Sequence, residues 1–422
     1  MLARVRQQAR LGVLADAFAD ENFCRATVQA MGEGRELRCG GGTIRFIATS
    51  AFEALAAGTG ELHAYPLGAL GSNTTVRLGE QLFLKGYRRL RAGVNPELEM
   101  GRFLTETARF PNVVPLAGAI EYAADDGTNI TLALLQGYVE NQGDGWSYTL
   151  DYLDRFLDSC RTAAKPPADT VELHGGYAAL MHSLGRRTAE LHRALAEPGG
   201  DPAFDPEPIG HGDLVAWNKQ VHAQAVQTLA LLAQRRAALG METQIEADAL
   251  LARSKELLRR IEHSVPVRVA ASKTRYHGDY HLGQALLVRN DFFIIDFEGE
   301  PDRTLAERRA KHSPLKDVAG MLRSFNYAAY AALTRVTAER PDDRAVLEPY
   351  ARQWEQVARA AFLDAYAATA TGAGLYPSWD EMQDLLELLV LEKALYELRY
   401  ELTSRPDWAL IPLLGLRELV KA

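Results

Sequence analysis

The chain has 422 residues, 47% of them hydrophobic and 24% charged, with a net charge of −8. That length is enough for two lobes with substantial cores. The acidic balance argues against a nucleic-acid partner, and no run of about eighteen apolar residues offers a membrane span. The opening "MLARVRQQARLGVLADAF" lacks the apolar core of a secretory leader. Cys24, Cys39 and Cys160 have no metal-ligand spacing and are expected to be reduced thiols of a cytoplasmic protein.

In chain order, the first thirty residues read as helix, with Leu11, Leu14, Phe18 and Phe23 on an apolar face. "ELRCGGGTIRFIAT" reads as strands joined by a tight turn, and "NTTVRLGEQLFLKGY" as two strands around Gly79-Glu80. "NPELEMGRFLTETARF" reads as a helix capped by Asn95, with Pro96 in its first turn. "NITLALLQGYV" is an apolar strand that leads into a polar, glycine-containing linker. Beyond Trp146 the chain is helical, apart from the breaks at "KPPADT" and "EPGGDPAFDPEPIG" and the strands of "QALLVRNDFFIIDFE". The expected architecture is a bilobal α+β fold. Residues 1–136 would form an N-terminal cap and strand-rich lobe, 137–145 a hinge, and 146–422 a helical lobe.

Two stretches carry a His-Gly-Asp triplet followed, five residues after the Asp, by a carboxamide: "HGDLVAWN" from His211 and "HGDYHLGQ" from His277. A phosphotransferase catalytic loop needs an Asp as proton acceptor and an Asn or Gln as metal ligand. Only the second copy precedes an apolar hairpin, with its turn expected at Asn290-Asp291, that ends in "IIDFE". Asp279 is therefore the candidate base, and Gln284 and Asp296 are candidate Mg²⁺ ligands. Glu298 would face the same side as Asp296 on a regular strand. Asp213 reads instead as a capping residue of the helix that follows it.

A kinase of this kind also needs a strand Lys for the nucleotide phosphates and a Glu on the next helix to hold it. Lys85 ends the strand "QLFLK", and Glu99 is favoured over Glu97 and Glu106 because Phe103 and Leu104 follow it one turn later. "GALGSNTTV" supplies Ser72, Asn73 and Thr74 to a turn that can cradle phosphate. The adenine would meet backbone groups from Gly137 to Val139.

"YHGDYHLGQ", "IIDFEGEP", "ERRAKHSPLKDVAGMLRSFNYAAY" and "LALLQGYVENQGDGWSYTLDYL" closely resemble the bacterial maltokinases. These are ATP-dependent enzymes of the aminoglycoside-phosphotransferase-like group, and the resemblance implies a bilobal protein-kinase-like fold. The resemblance runs from about Leu70 to Trp408. It implies ATP and Mg²⁺ as cofactors and transfer of the γ-phosphate to the anomeric hydroxyl of maltose. It places the base on Asp279, the metal ligands on Gln284 and Asp296, and the phosphate-binding lysine on Lys85. Asp317, in "SPLKDVAGM", would support the catalytic loop, as would His277. The "RWFGGK" segment of stand-alone maltokinases is absent. The opening instead resembles the form fused behind a trehalose synthase, so a trehalose synthase domain or subunit is an expected partner.

The C-terminal aromatic and charged residues Tyr396, Glu397, Tyr400 and Trp408 suit a disaccharide, since sugars stack apolar faces on rings and bond hydroxyls to charged groups. His281 and Arg323 are further candidate sugar contacts. Two other readings compete: a kinase for an aminoglycoside, choline or methylthioribose, and a catalytically dead module that binds α-glucan or a trehalose synthase.

Overall fold

The computed structural model describes residues 3–57, 63–66, 73–162, 173–264, 269–372 and 375–421. The chain divides into two compact units. The first comprises Met1–Asn141 and Phe293–Arg309, and the second Gln142–Phe292 and Ala310–Ala422. The first unit is thus built from two separate stretches of chain, not from the N-terminal third alone.

The first unit opens with a hairpin, β1 (Ala3–Gln7) and β2 (Arg10–Leu14), where the sequence suggested helix. Leu11, Val13 and Leu14 are all exposed, so their helix-like spacing marks no buried stripe. The chain turns at Gln8, in the left-handed region (φ 55°), and local antiparallel pairing wins. Helix α1 (Glu21–Gly32) follows, capped by Asp20. Strands β3 (Glu36–Cys39) and β4 (Gly42–Ala48), the short helix α2 (Phe52–Ala56), and β5 (Ala64–Pro66), β6 (Asn73–Leu78) and β7 (Leu82–Tyr87) come next. Helix α3 (Pro96–Arg102), β8 (Leu116–Ala124) and β9 (Asn129–Gly137) complete the N-terminal stretch.

The strands form one seven-stranded antiparallel sheet in the order β3-β4-β8-β9-β7-β6-β5. Strand β8 was not foreseen in the sequence. It pairs with β4 and β9, and its end is marked by a turn in which Gly127 sits at φ 88°. Alternation along β7 sends Leu82 and Leu84 into a core with Cys24, Val28 and Met31 of α1. Lys85 and Tyr87 lie on the opposite face.

The second unit is helical: α4 (Gly145–Thr162), α5 (Gly175–Ala194), α6 (His211–Arg235), α7 (Met241–Ala252), α8 (Ser254–His263), α9 (Leu315–Val336), α10 (Arg344–Ala370), α11 (Gln383–Ser404) and α12 (Leu410–Lys421). Two short strands, β10 (Glu207–Pro208) and β11 (Ser272–Lys273), pair ahead of the His277 loop. α9 is buried over most of its length, consistent with a central position. α6, α7, α8, α11 and α12 share a second core that includes Val221, Leu250, Ile261, Leu395 and Leu413. Among the described residues, no helix is long and apolar enough to cross a membrane.

Strands β12 (Ala285–Val288) and β13 (Asp291–Ile294) form the expected two-stranded sheet. The turn is Arg289-Asn290, both left-handed at φ 50° and 63°, one residue earlier than expected. Each cross-strand alignment therefore moves by two residues relative to a turn at Asn290-Asp291. Strand β13 also stops at Ile294, so "DFE" is not strand.

Candidate active site

In the first unit the site is built around Lys85. Its ammonium lies 2.7 Å from Glu97, 2.7 Å from Asp296 and 2.6 Å from Glu298. The partner on α3 is Glu97 and not Glu99, which instead forms a two-pronged pair with Arg309 at 2.6 and 2.9 Å. The helix explains the choice. Residues two apart point to nearly opposite sides, and Glu97 shares the buried face with Met100 and Leu104, at i+3 and i+7. That spacing was present in the sequence, and Phe103 was the misleading landmark. Asn95 accepts from the Leu98 N–H and fixes the first turn, so Glu97 enters at a set angle. The Tyr87 hydroxyl donates to the same Glu97 oxygen at 2.6 Å.

Asp296 and Glu298 reach Lys85 from the segment after β13. Asp296 has φ 66°, a left-handed conformation that Asp adopts more readily than most residues but still at some cost. Strand alternation therefore does not explain why Glu298 converges with it; the irregular turn does. Glu298 also accepts from the Asn73 side chain at 2.9 Å. Thr74 donates to Asp16 at 2.7 Å and accepts from Arg88 at 3.0 Å. Ser72, the third residue expected in the phosphate turn, lies outside the described residues. In the segment expected to be the hinge, the Gly137 N–H donates to the Pro115 carbonyl at 2.9 Å, and the Val139 carbonyl accepts from Asn141 at 2.9 Å.

Burial favours the neutral form of Lys85, but Glu97, Asp296 and Glu298 outweigh it and hold the ammonium well above its usual range. Burial pushes Glu97 up to about 7, with Asp296 and Glu298 adding to the rise and Lys85 opposing it. Glu97, Asp296 and Glu298 bring oxygen atoms within 4.8 Å of one another. Three carboxylates against one ammonium form a hard-oxygen set with acid in excess, the donor chemistry that Mg²⁺ requires.

In the second unit the site is the loop from His277 to Gln284. Asp317, in the first turn of α9, accepts from the His277 N–H at 2.7 Å, the Gly278 N–H at 2.9 Å and His192 Nε2 at 3.1 Å. Gly278, at φ 87°, allows both backbone groups to point at one carboxylate. Burial works against the charge on Asp317, but the bonds and charge of His192 and the loop hold its carboxyl below the usual range. His192 is in turn bonded to the Tyr366 hydroxyl at 2.9 Å. Sequence reasoning missed His192, which stands 125 residues from Asp317 with no local signal.

The loop is gripped at further points. Tyr280 bonds Thr188 at 2.9 Å, and the Leu282 N–H donates to Ser324 at 3.1 Å. Gly320 lets α9 approach so closely that a Cβ there would lie 2.5 Å from the Tyr280 carbonyl oxygen. The ring nitrogens of His277 and His281 accept from the N–H groups of Asp279 and Gly283 at 3.3 and 3.1 Å. His281 thus has a loop-capping role in addition to any acceptor contact. Asp279, held on this scaffold, is 3.5 Å from Lys393 of α11. Lys393, which the sequence did not single out, also lies 4.8 Å from the Tyr396 ring centre.

Arg323 is buried, not open to solvent. It donates to Glu397 at 2.8 Å and to Asn326 at 3.0 Å, and it sits under Gly415. Tyr400 and Trp408 are exposed, with Arg405 within 5.5 and 5.2 Å of their rings. The first His-Gly-Asp lies in the opening turn of α6. Asp213 accepts from the Gly210 N–H at 2.8 Å and pairs with Lys273 at 2.9 Å, so it caps a helix and anchors the strand leading to the His277 loop.

No family model matches the chain. A glucosamine kinase of Streptacidiphilus jiangxiensis is 25% identical over 354 residues, spanning 83% of this chain and 72% of the relative. A glucosamine kinase of Mycolicibacterium smegmatis (strain ATCC 700084 / mc(2)155) is 24% identical over 344 residues, 81% of this chain and 75% of the relative. A solved glucosamine kinase in complex with glucosamine, ADP and inorganic phosphate superposes with a TM-score of 0.69 at 21% identity, over 99% of this chain and 86% of that one. A second crystal form gives a TM-score of 0.71 at 21% identity over 99% and 87%. The fold is kinase-like. The chain is a phosphotransferase that acts on a hydroxyl acceptor.

Proposed function

We propose that the chain transfers the γ-phosphate of ATP to the anomeric hydroxyl of maltose, giving maltose 1-phosphate. The observation that carries phosphoryl transfer is the Asp317-held loop, which presents Asp279 as a carboxylate on a fixed backbone. Asp279 accepts the proton of the attacking hydroxyl, a role typically worth about 10²–10⁴-fold. Lys85, fixed by Glu97, contacts the nucleotide phosphates, with Asn73 and Thr74 near the covering turn and Gly137 to Val139 at the adenine. Asp296 would hold Mg²⁺ with Glu298 assisting, and Gln284 is the further ligand that the resemblance implies. The ion supplies neutralisation of the phosphate charge.

Maltose as acceptor is supported by the resemblance of "ERRAKHSPLKDVAGMLRSFNYAAY" and by Tyr396 beside Lys393, next to Asp279. Glu397, positioned by Arg323, supplies a hydroxyl partner, and Tyr400 and Trp408 offer faces to the second ring. A trehalose synthase domain or subunit would supply the maltose. A second reading, glucosamine as acceptor, is favoured by the two relatives.

A panel of sugars with ATP and Mg²⁺, read by product identity, tests the proposal. Maltose should exceed glucose in kcat/KM, because glucose forgoes the remote binding energy of a second ring. Trehalose, with no free anomeric hydroxyl, should not be phosphorylated there. Glucosamine exceeding maltose would replace this reading with the second one, and a phosphate on a primary hydroxyl would refute the anomeric assignment.

A further inference from the structure

Lys393 was singled out by no sequence motif, yet it stands 3.5 Å from the Asp279 carboxylate. Both side chains are largely enclosed, at 20% and 26% exposure. Four acids on the helix that carries Lys393 are paired with protein cations. Glu387 pairs with Arg260 at 3.3 Å, Glu392 with Lys316 at 3.1 Å, Glu397 with Arg323 at 2.8 Å and Glu401 with Arg405 at 2.7 Å. Four of the five acids of this helix therefore pair with a lysine or arginine, and one ammonium stands beside the base itself.

This arrangement bears on the charge of the acceptor. The reacting hydroxyl must come within about 2.6–3.2 Å of Asp279. An amine on the neighbouring carbon would then lie close to both the Asp279 carboxylate and the Lys393 ammonium. An Asp279 without a cation would attract that amine. With Lys393 in place the attraction is cancelled, while neutral hydroxyls gain an ammonium that is purely a hydrogen-bond donor. We infer that Lys393 is a specificity-determining residue that sets the acceptor site for neutral polyhydroxy compounds and against amino sugars. The inference rests on Asp279 being the base, as proposed above, but not on maltose being the acceptor.

Glucose and glucosamine form the test pair, since they share a ring and differ only in hydroxyl against ammonium at one carbon. The measurement is the ratio of kcat/KM for glucosamine to that for glucose, at a pH where the amine is protonated, in the unaltered chain and in Lys393→Gln, Lys393→Glu and Lys393→Arg. Any general loss from disturbing Asp279 is shared by both sugars and cancels in the ratio. Competitive inhibition constants of the two sugars against the best acceptor give the same ratio if neither turns over well. Removing one unit charge a few ångströms away in a partly enclosed site should raise the ratio on the order of 10–100-fold in Lys393→Gln. Lys393→Glu should raise it further, and Lys393→Arg should leave it near the starting value. A ratio that changes less than fivefold in both Lys393→Gln and Lys393→Glu overturns the inference, as does an unaltered chain that already prefers glucosamine to glucose. If maltose is not phosphorylated but the ratio responds as expected, the maltose reading fails and this one stands. If maltose is the acceptor and the ratio does not respond, the reverse holds.

Discussion

Asp317→Ala removes the support of the His277 loop, proposed above as the catalytic loop, without altering a residue of the loop itself. The carboxylate accepts three hydrogen bonds, two from the backbone of His277 and Gly278 and one from His192, and it is 2% exposed. Its loss leaves those donors buried and without this acceptor. Each such group costs about 1–3 kcal/mol, so with partial relaxation the sum is about 3–6 kcal/mol. Asp317→Asn keeps one acceptor oxygen but turns an amide donor toward other donors, and it should cost about 2–4 kcal/mol. Chemical denaturation of the purified chain reads this loss. Where the variants remain folded, kcat should fall about 10²-fold, because a displacement of about 1 Å in a reacting group has that effect. Binding of nucleotide should change little, since Asp317 bonds the loop that carries the proposed base and not the Lys85 cluster. A change in stability under 1 kcal/mol with unaltered kcat in Asp317→Ala would refute the role of this carboxylate.

Four other outcomes follow from the same geometry. Glu97→Gln should raise KM for ATP at least tenfold, while Glu99→Gln, which loses only a partly exposed pair with Arg309, should change it less than threefold; equal effects would remove the distinction. Because Glu97 is pushed up to about 7, its protonated, uncharged form prevails at lower pH and holds Lys85 less firmly, so KM for ATP should rise as pH falls from about 8 to 6; a titration profile unchanged by Glu97→Gln would assign the dependence elsewhere. Asp279→Asn should lower kcat about 10²–10⁴-fold with nucleotide binding retained, whereas Asp213→Asn should leave kcat within about threefold and register mainly in thermal stability. Gly320→Ala ought to gain about 1 kcal/mol from helix propensity alone; the Tyr280 carbonyl 2.5 Å from the new Cβ should reverse that sign, and a more stable variant with full activity would show that the loop can yield.

What could be read from the sequence was what neighbouring residues determine. The caps at Asn95 and Asp213, the Gly79-Glu80 hairpin and the His277 loop followed by an apolar hairpin depend on residues a few positions apart, and local turn and capping chemistry is sufficient to place them. The failures at short range have local causes too: a hairpin at Ala3–Leu14 imitated helical spacing, and a left-handed Asp296 ended a strand that its apolar run suggested would continue. The rest was decided by groups far apart in the chain. Glu97 was chosen over Glu99 by the face that α3 buries. His192 meets Asp317, Lys393 meets Asp279, and Arg323 turns inward to Glu397, across separations that no spacing rule records. A charge buried away from water must find a partner wherever the packing of distant elements supplies one, so the identity of that partner belongs to the tertiary structure even when the charged residue itself is plain in the sequence.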